Sequence, residues 1–201
     1  MSAGGIYVRE YYKSDPEDIV GMVLVDSSHE HQVNRLPNIG RGDSFNTMLT
    51  ACRLLQPIGL IRAFGLLDQF VNQYELEEPT LNALLANMNQ SLTCSSLHWE
   101  SESFAGEVSD NVPPNSLGDL PLVVLSQGEE PKVIPEIGAT LEQAIAQRKT
   151  WDELQLELVA LSSNGERTVA LESGHVIQFN QPKLVIEKEG ELALRLRANL
   201  L

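Results

Sequence analysis

Two stretches of this 201-residue chain have the residue types for nucleophilic chemistry: Ser2-Ala3-Gly4-Gly5 near one end and Ser173-Gly174-His175 near the other. A serine hydroxyl is a weak nucleophile until a neighbouring base takes its proton, and histidine is the side chain whose ordinary titration suits that role near neutral pH. Ser2, Ala3 and Gly4 match the last three positions of G-x-S-x-G, with only Met1 standing where the motif's Gly-x would be. Small neighbours are required there because the serine occupies a strained strand-to-helix turn. His175 follows a β-type run and precedes Gln181-Pro182, which puts it on a strand-to-helix loop, where α/β folds carry catalytic groups. The other histidines rank below it. His29 and His31 sit in a polar loop and read as surface residues, and His98 falls within a helical stretch.

The elements that must position these residues follow from periodicity. Ile6, Tyr7, Val8, Tyr11 and Tyr12 suit one helix that closes around Ser14-Asp15-Pro16. Three short apolar runs, Val20 to Asp26, Leu120 to Ser126 and Arg167 to Ser173, read as strands buried on both faces, and Asp26 ends the first. Helical patterns fill residues 44–56, 57–74 and 79–104, interrupted by Pro57, Pro79 and Pro113-Pro114. That length exceeds a simple crossover and predicts an inserted helical lid. Within it Leu54, Leu55, Ile58, Ile61, Phe64, Leu67 and Phe70 suit either helix packing or an apolar pocket for an acyl or alkyl group. Ala139 to Leu161 predicts a long amphipathic helix with Leu141, Ile145, Trp151, Leu154, Leu158 and Leu161 toward the core. The tail after Pro182 reads as a helix, although Leu192, Leu194 and Leu196 alternate as in a strand. Strands alternating with helices predict a parallel α/β sheet.

Composition limits the partners. A net charge of −14 repels phosphate backbones and anionic lipid, so nucleic acid is excluded as a partner. No apolar run approaches the roughly 18 residues that a membrane span needs. Cys52 and Cys94 share no metal-ligand spacing and no secretory signal precedes them, which predicts a reducing, cytoplasmic setting. No cofactor is expected, since no His/Cys/carboxylate cluster is evident in the spacing.

Four stretches in order, Ser2-Ala-Gly-Gly-Ile-Tyr-Val-Arg, Met22-Val-Leu-Val-Asp-Ser-Ser-His-Glu, Leu120-Pro-Leu-Val-Val-Leu and Ser173-Gly-His-Val-Ile-Gln, resemble the nucleophile elbow, sixth strand, seventh strand and histidine loop of the α/β-hydrolase superfamily. The resemblance implies a partial α/β-hydrolase fold: a core at residues 1–28 and 118–201, about three parallel strands flanked by helices, and a helical lid at 29–117. It implies a serine hydrolase acting on an ester or related acyl compound, with Ser2 as nucleophile, His175 as base and then acid, and the Ala3 N–H as an oxyanion donor. The triad acid follows either the sixth strand, which gives Asp26, or the seventh, which gives Glu129 or Glu130. Asp26 is also suited to capping its own loop through backbone N–H groups.

The resemblance implies earlier strands, and a second oxyanion N–H from one of their loops, that this chain is expected to lack. The isolated chain is therefore expected either to be a weakened esterase-like enzyme or to be a catalytically dead truncated hydrolase that serves as a binding module. The first strand is expected to present an open edge, through which the chain forms a homodimer.

Overall fold

The computed structural model describes residues 1–36, 43–106, 112–133 and 140–198, the backbone alone for 43–46, 69, 70 and 101–106. The chain divides into two compact units, one of Met1–Pro37, Ser109–Val133 and Leu141–Leu201, the other of Asn38–Val108 and Ile134–Thr140.

In the first unit the expected runs form β1 (Met22–Val25), β2 (Leu122–Gln127) and β3 (Gly165–Ala170). β3 starts and ends earlier than expected and only Ala170 in it is buried, which corrects the expectation that this run is covered on both faces. Among the described residues they make one parallel sheet in the order β1-β2-β3, with Met22 opposite Leu122 and Leu122 opposite Gly165. Side chains alternate between the faces of a strand, so a strand apolar at every position must be covered twice. Leu122 and Val124 point into a cluster with Leu117, Leu158 and Leu161, against which Val8 and Tyr12 pack. Val123 and Leu125 point the other way, onto Ala170, Ile177 and Leu192. All four of these β2 residues are fully buried, each contributing about 1.5–3 kcal/mol of transfer free energy.

The covering helices are α1 (Gly4–Ser14), a short α2 (Gln32–Arg35), α8 (Leu141–Val159), α9 (Ile177–Asn180) and α10 (Pro182–Ala198). The tail is helical because Leu192 and Leu196, one turn apart, both pack on the sheet, while Leu194 between them is exposed. Pro182 sits at the first helical position, where its missing N–H is harmless. The long helix differs from expectation at its start. Trp151, Leu154 and Leu158 are buried, but Leu141 and Ile145 are exposed, and Ala144 is the buried residue of that first turn and a half.

The second unit holds α3 (Asp43–Leu55), α4 (Leu60–Ala63), α5 (Asp68–Asn72), α6 (Glu78–Met88) and α7 (Thr93–Gly106). The single helices expected over 57–74 and 79–104 are each broken in two, the first at Phe64 to Leu67, where Gly65 takes a positive φ of 59°. Cys52 and Cys94 are joined by a disulfide across α3 and α7, packed with Ile61, Leu55 and Leu67. Their separation of 42 residues carries no pairing signal in the sequence. Of the apolar residues named for this region, Leu54, Ile58 and Phe64 are exposed, and the Phe70 side chain lies outside the described residues. No helix among the described residues is long and apolar enough to cross a membrane.

Candidate active site

Asp26 continues the line of β1, donating its N–H to the Leu125 carbonyl at 2.7 Å, and then turns with a φ of 39°. Asparagine and aspartate tolerate that left-handed region better than most residues. The turn aims the side chain inward, and the carboxylate is wholly buried. A buried carboxylate is stable only when donors replace its water, and this one has three. Oδ1 accepts the Gln127 N–H at 2.9 Å and the Trp151 Nε1–H at 2.9 Å, and Oδ2 lies 2.6 Å from His175 Nδ1. Since an ionised carboxylate only accepts, Nδ1 carries the proton and Nε2 keeps its lone pair. The His175 side chain is 42 % exposed and that of Asp26 0 %, so the imidazole stands between a buried charge and solvent.

The histidine loop lies between β3 and α9 and is tied to the loop after β2. The Ser173 carbonyl accepts the N–H groups of Gly128 and Glu129, both at 3.0 Å. From α8, Arg148 donates to the Gln127 and Glu129 carbonyls, and Gln155 donates to the Ser27 carbonyl at 2.8 Å. One helix thus holds the ends of both β1 and β2.

Ser2 has a φ of 47°, a conformation that costs a non-glycine residue about 1–3 kcal/mol. Its backbone forms a parallel bridge with Ser27, the residue after Asp26, and its carbonyl accepts the Ser28 N–H at 3.0 Å. Met1 Sδ accepts a hydrogen bond from Gln178 of α9 at 2.6 Å, which brings the first residues to the same rim as His175. Ala3 is the N-cap of α1, a position from which backbone N–H groups project without intrahelical partners. No hydrogen bond joins the Ser2 hydroxyl to His175. α1 packs so closely that a Cβ on Gly5 would lie 1.5 Å from Ser27 Oγ.

The structure therefore brings Asp26 to His175 and runs Ser2 beside them. Glu129 and Glu130 are exposed on the loop after β2, Glu129 paired with Lys132, and neither bonds His175. Trp151 and Gln127 are partners of the acid that sequence reasoning missed: Trp151 is expected there only as a core residue, and a contact across 125 residues leaves no local mark.

A second polar group lies beneath α1, and it corrects the expectation that His29 is a surface residue. His29 is buried, as are Glu30 and Arg9. Arg9 donates to Glu30 at 2.9 Å and to the Ser28 carbonyl at 3.0 Å, so the loop after β1 is pulled under the helix. Burial lowers the Arg9 pKa against the raising effect of Glu30. The His31 N–H donates to His29 Nδ1 at 3.0 Å, which leaves the His29 proton on Nε2, 3.5 Å from Glu157. Ligand-capable atoms of His29, His31 and Glu157 lie within 4.8 Å of one another, a grouping of the type that binds metal ions and that the linear spacing hides. The other Glu157 oxygen lies 2.5 Å from the Arg35 guanidinium, so this carboxylate already has a cationic partner.

No family model, no curated protein and no solved structure matches this chain.

Proposed function

We propose that the chain carries a serine hydrolase site of the α/β-hydrolase type, acting on an ester or related acyl compound. One observation supports this reading above the others: the 2.6 Å bond between a half-exposed His175 and the fully buried Asp26, at the strand ends beside Ser2. In the reaction His175 Nε2 takes the Ser2 hydroxyl proton as Oγ attacks the substrate carbonyl. Asp26 holds the ring by Nδ1–H and stabilises the imidazolium, and the Ala3 N–H donates to the developing oxyanion. The imidazolium then returns its proton to the leaving alcohol, and a water deprotonated by Nε2 releases the acid from Ser2.

Reaction with a fluorophosphonate probe tests the reading. Labelling should disappear in Ser2→Ala and His175→Ala and fall about 10⁴-fold in Asp26→Asn, which leaves the histidine without its acceptor. A folded wild-type chain that takes no label sinks the hydrolase reading.

The lack of a bond between the Ser2 hydroxyl and His175 favours a second reading, a catalytically dead hydrolase-like chain that serves as a binding module. Labelling by the wild-type chain removes it. The outer edge of β1, engaged only at the Ser2–Ser27 bridge among the described residues, supports a homodimer joined through that strand. Sedimentation over a hundredfold range of concentration should then show a dimer that Val23→Pro abolishes, since proline cannot donate to a shared ladder.

A further inference from the structure

We infer that Trp151 is a positioning residue for the Asp26–His175 pair, fixing which carboxylate oxygen the histidine receives and which ring nitrogen carries the proton. The inference rests on reading that pair as catalytic.

A carboxylate can rotate to offer either oxygen to either neighbour, and what stops it is the set of donors around it. Asp26 Oδ1 is held by two of them, the Gln127 N–H and the Trp151 Nε1–H, each at 2.9 Å. Oδ2 is left to His175 alone among the described residues. The two Oδ1 donors differ in kind. Gln127 supplies a backbone amide whose direction follows from the β2 ladder, whereas Trp151 supplies the one side-chain donor to that oxygen among the described residues. An indole N–H donates and never accepts. Unlike a glutamine or serine in the same place, it cannot turn over and present an acceptor that would push the carboxylate away.

Trp151 touches the second member of the pair as well. Its ring meets the His175 imidazole edge-on, with centroids 5.9 Å apart and planes at 83°. Edge-to-face packing limits rotation of the imidazole. The tryptophan is itself fixed in place, because it is buried and its helix is anchored on either side. Arg148, three residues earlier, grips the Gln127 and Glu129 carbonyls, and Gln155, one turn later, grips the Ser27 carbonyl. Residues three and four apart share a helix face, so these anchors set the depth of the indole relative to both strand ends.

The test needs no enzyme activity. The chain has two tryptophans, and Trp99 lies in the second unit, so its indole N–H serves as an internal reference in the nitrogen-15 correlation spectrum of the full chain. Asp26→Asn and His175→Gln should each move the Trp151 indole resonance and leave that of Trp99 in place. Trp151→Phe, which keeps a ring and removes the donor, should shift the His175 ring nitrogens from the Nδ1–H toward the Nε2–H tautomer. Its circular dichroism should stay that of the wild type. If His175 keeps its tautomer in Trp151→Phe, or the Trp151 indole ignores Asp26→Asn, the role is overturned. Should Trp151→Phe fail to fold, the indole shifts in the two variants that retain Trp151 decide the matter. Where the wild type takes a fluorophosphonate label, Trp151→Phe should slow labelling by about 10²-fold through misplacement of the base. An unlabelled wild type that still shows the spectral coupling sinks the hydrolase reading and leaves Trp151 as a structural partner that orders the Asp26–His175 pair.

Discussion

The His29 imidazole is enclosed beside Glu30, Glu157 and His31, and desolvation outweighs the two carboxylates, bringing its pKa down from 6.5 to about 4. Its folded pKa lies below the unfolded one, so the unfolded chain takes up this proton first as the solution is acidified. The contribution is whole above about pH 6.5 and is lost as pH falls from there toward 4, by up to about 3 kcal/mol. Urea midpoints measured between pH 7 and pH 4.5 should therefore fall steeply for the wild type. His29→Asn, which keeps an acceptor for the His31 amide and removes the titration, should give a flatter slope. An equal slope in both chains would show that His29 is not the group responsible. His175 has a different environment: one ring nitrogen is engaged by a buried acid and much of the ring is open to solvent. The local sequence ranks His175 above His29 but hides both environments, because the deciding partners, Arg9 for the His29 loop and Asp26 for His175, lie 21 and 149 residues from the groups they bind.

At the level of elements, the tightest constraint lies between α1 and the loop after β1. A methyl group on Gly5 would meet Ser27 Cβ at 2.7 Å as well as its hydroxyl, so rotating the serine cannot make room and the helix must move. Gly5→Ala should cost about 1–3 kcal/mol as an overpacking change, read as a lower thermal midpoint. The double variant Gly5→Ala/Ser27→Gly should recover part of that loss, which two independent sites would not do. Much of this layer was legible in sequence. β1 and β2 were readable because each run is apolar on both faces, whereas β3 carries Glu166 and Arg167 and buries only Ala170, and the alternation of Leu192, Leu194 and Leu196 argued against the helix that α10 forms. Asp26 was visible as the residue that ends the first strand. Less legible were the broken helices of the second unit, where short apolar stretches fit one long helix as well as two short ones, and the outward turn of Leu141 and Ile145. There the residues suit burial, and only the position of the sheet decides how far along the helix burial begins.

Over the whole molecule, the two units are stabilised differently. The sheet unit has apolar clusters on both faces, while the helical unit has a small core built around the Cys52–Cys94 disulfide. Disulfides are rare in a reducing compartment, so this bond gives no support to the cytoplasmic setting expected from the lack of metal-ligand spacing and of a secretory signal. Closing a loop across 42 residues stabilises by about 4 kcal/mol in the chain-entropy view. Cys52→Ser/Cys94→Ser, or treatment with a thiol reductant, should accordingly accelerate amide exchange in α3 and α7, and unchanged exchange would show that the helices hold without it.

The Asp26–His175 bond also fixes when, in the life of the chain, the site comes into being. It joins residues separated by 149 positions, and its other donors come from positions 127 and 151. Local contacts close early and distant ones late, and a polypeptide leaves the ribosome in order. Asp26 therefore emerges long before any of its donors. Until Gln127, Trp151 and His175 have all emerged, the aspartate lacks its full set of donors. The Asp26–His175 pair is thus a product of completed folding and no guide to it, and a nascent chain halted anywhere short of His175 holds the aspartate without its histidine.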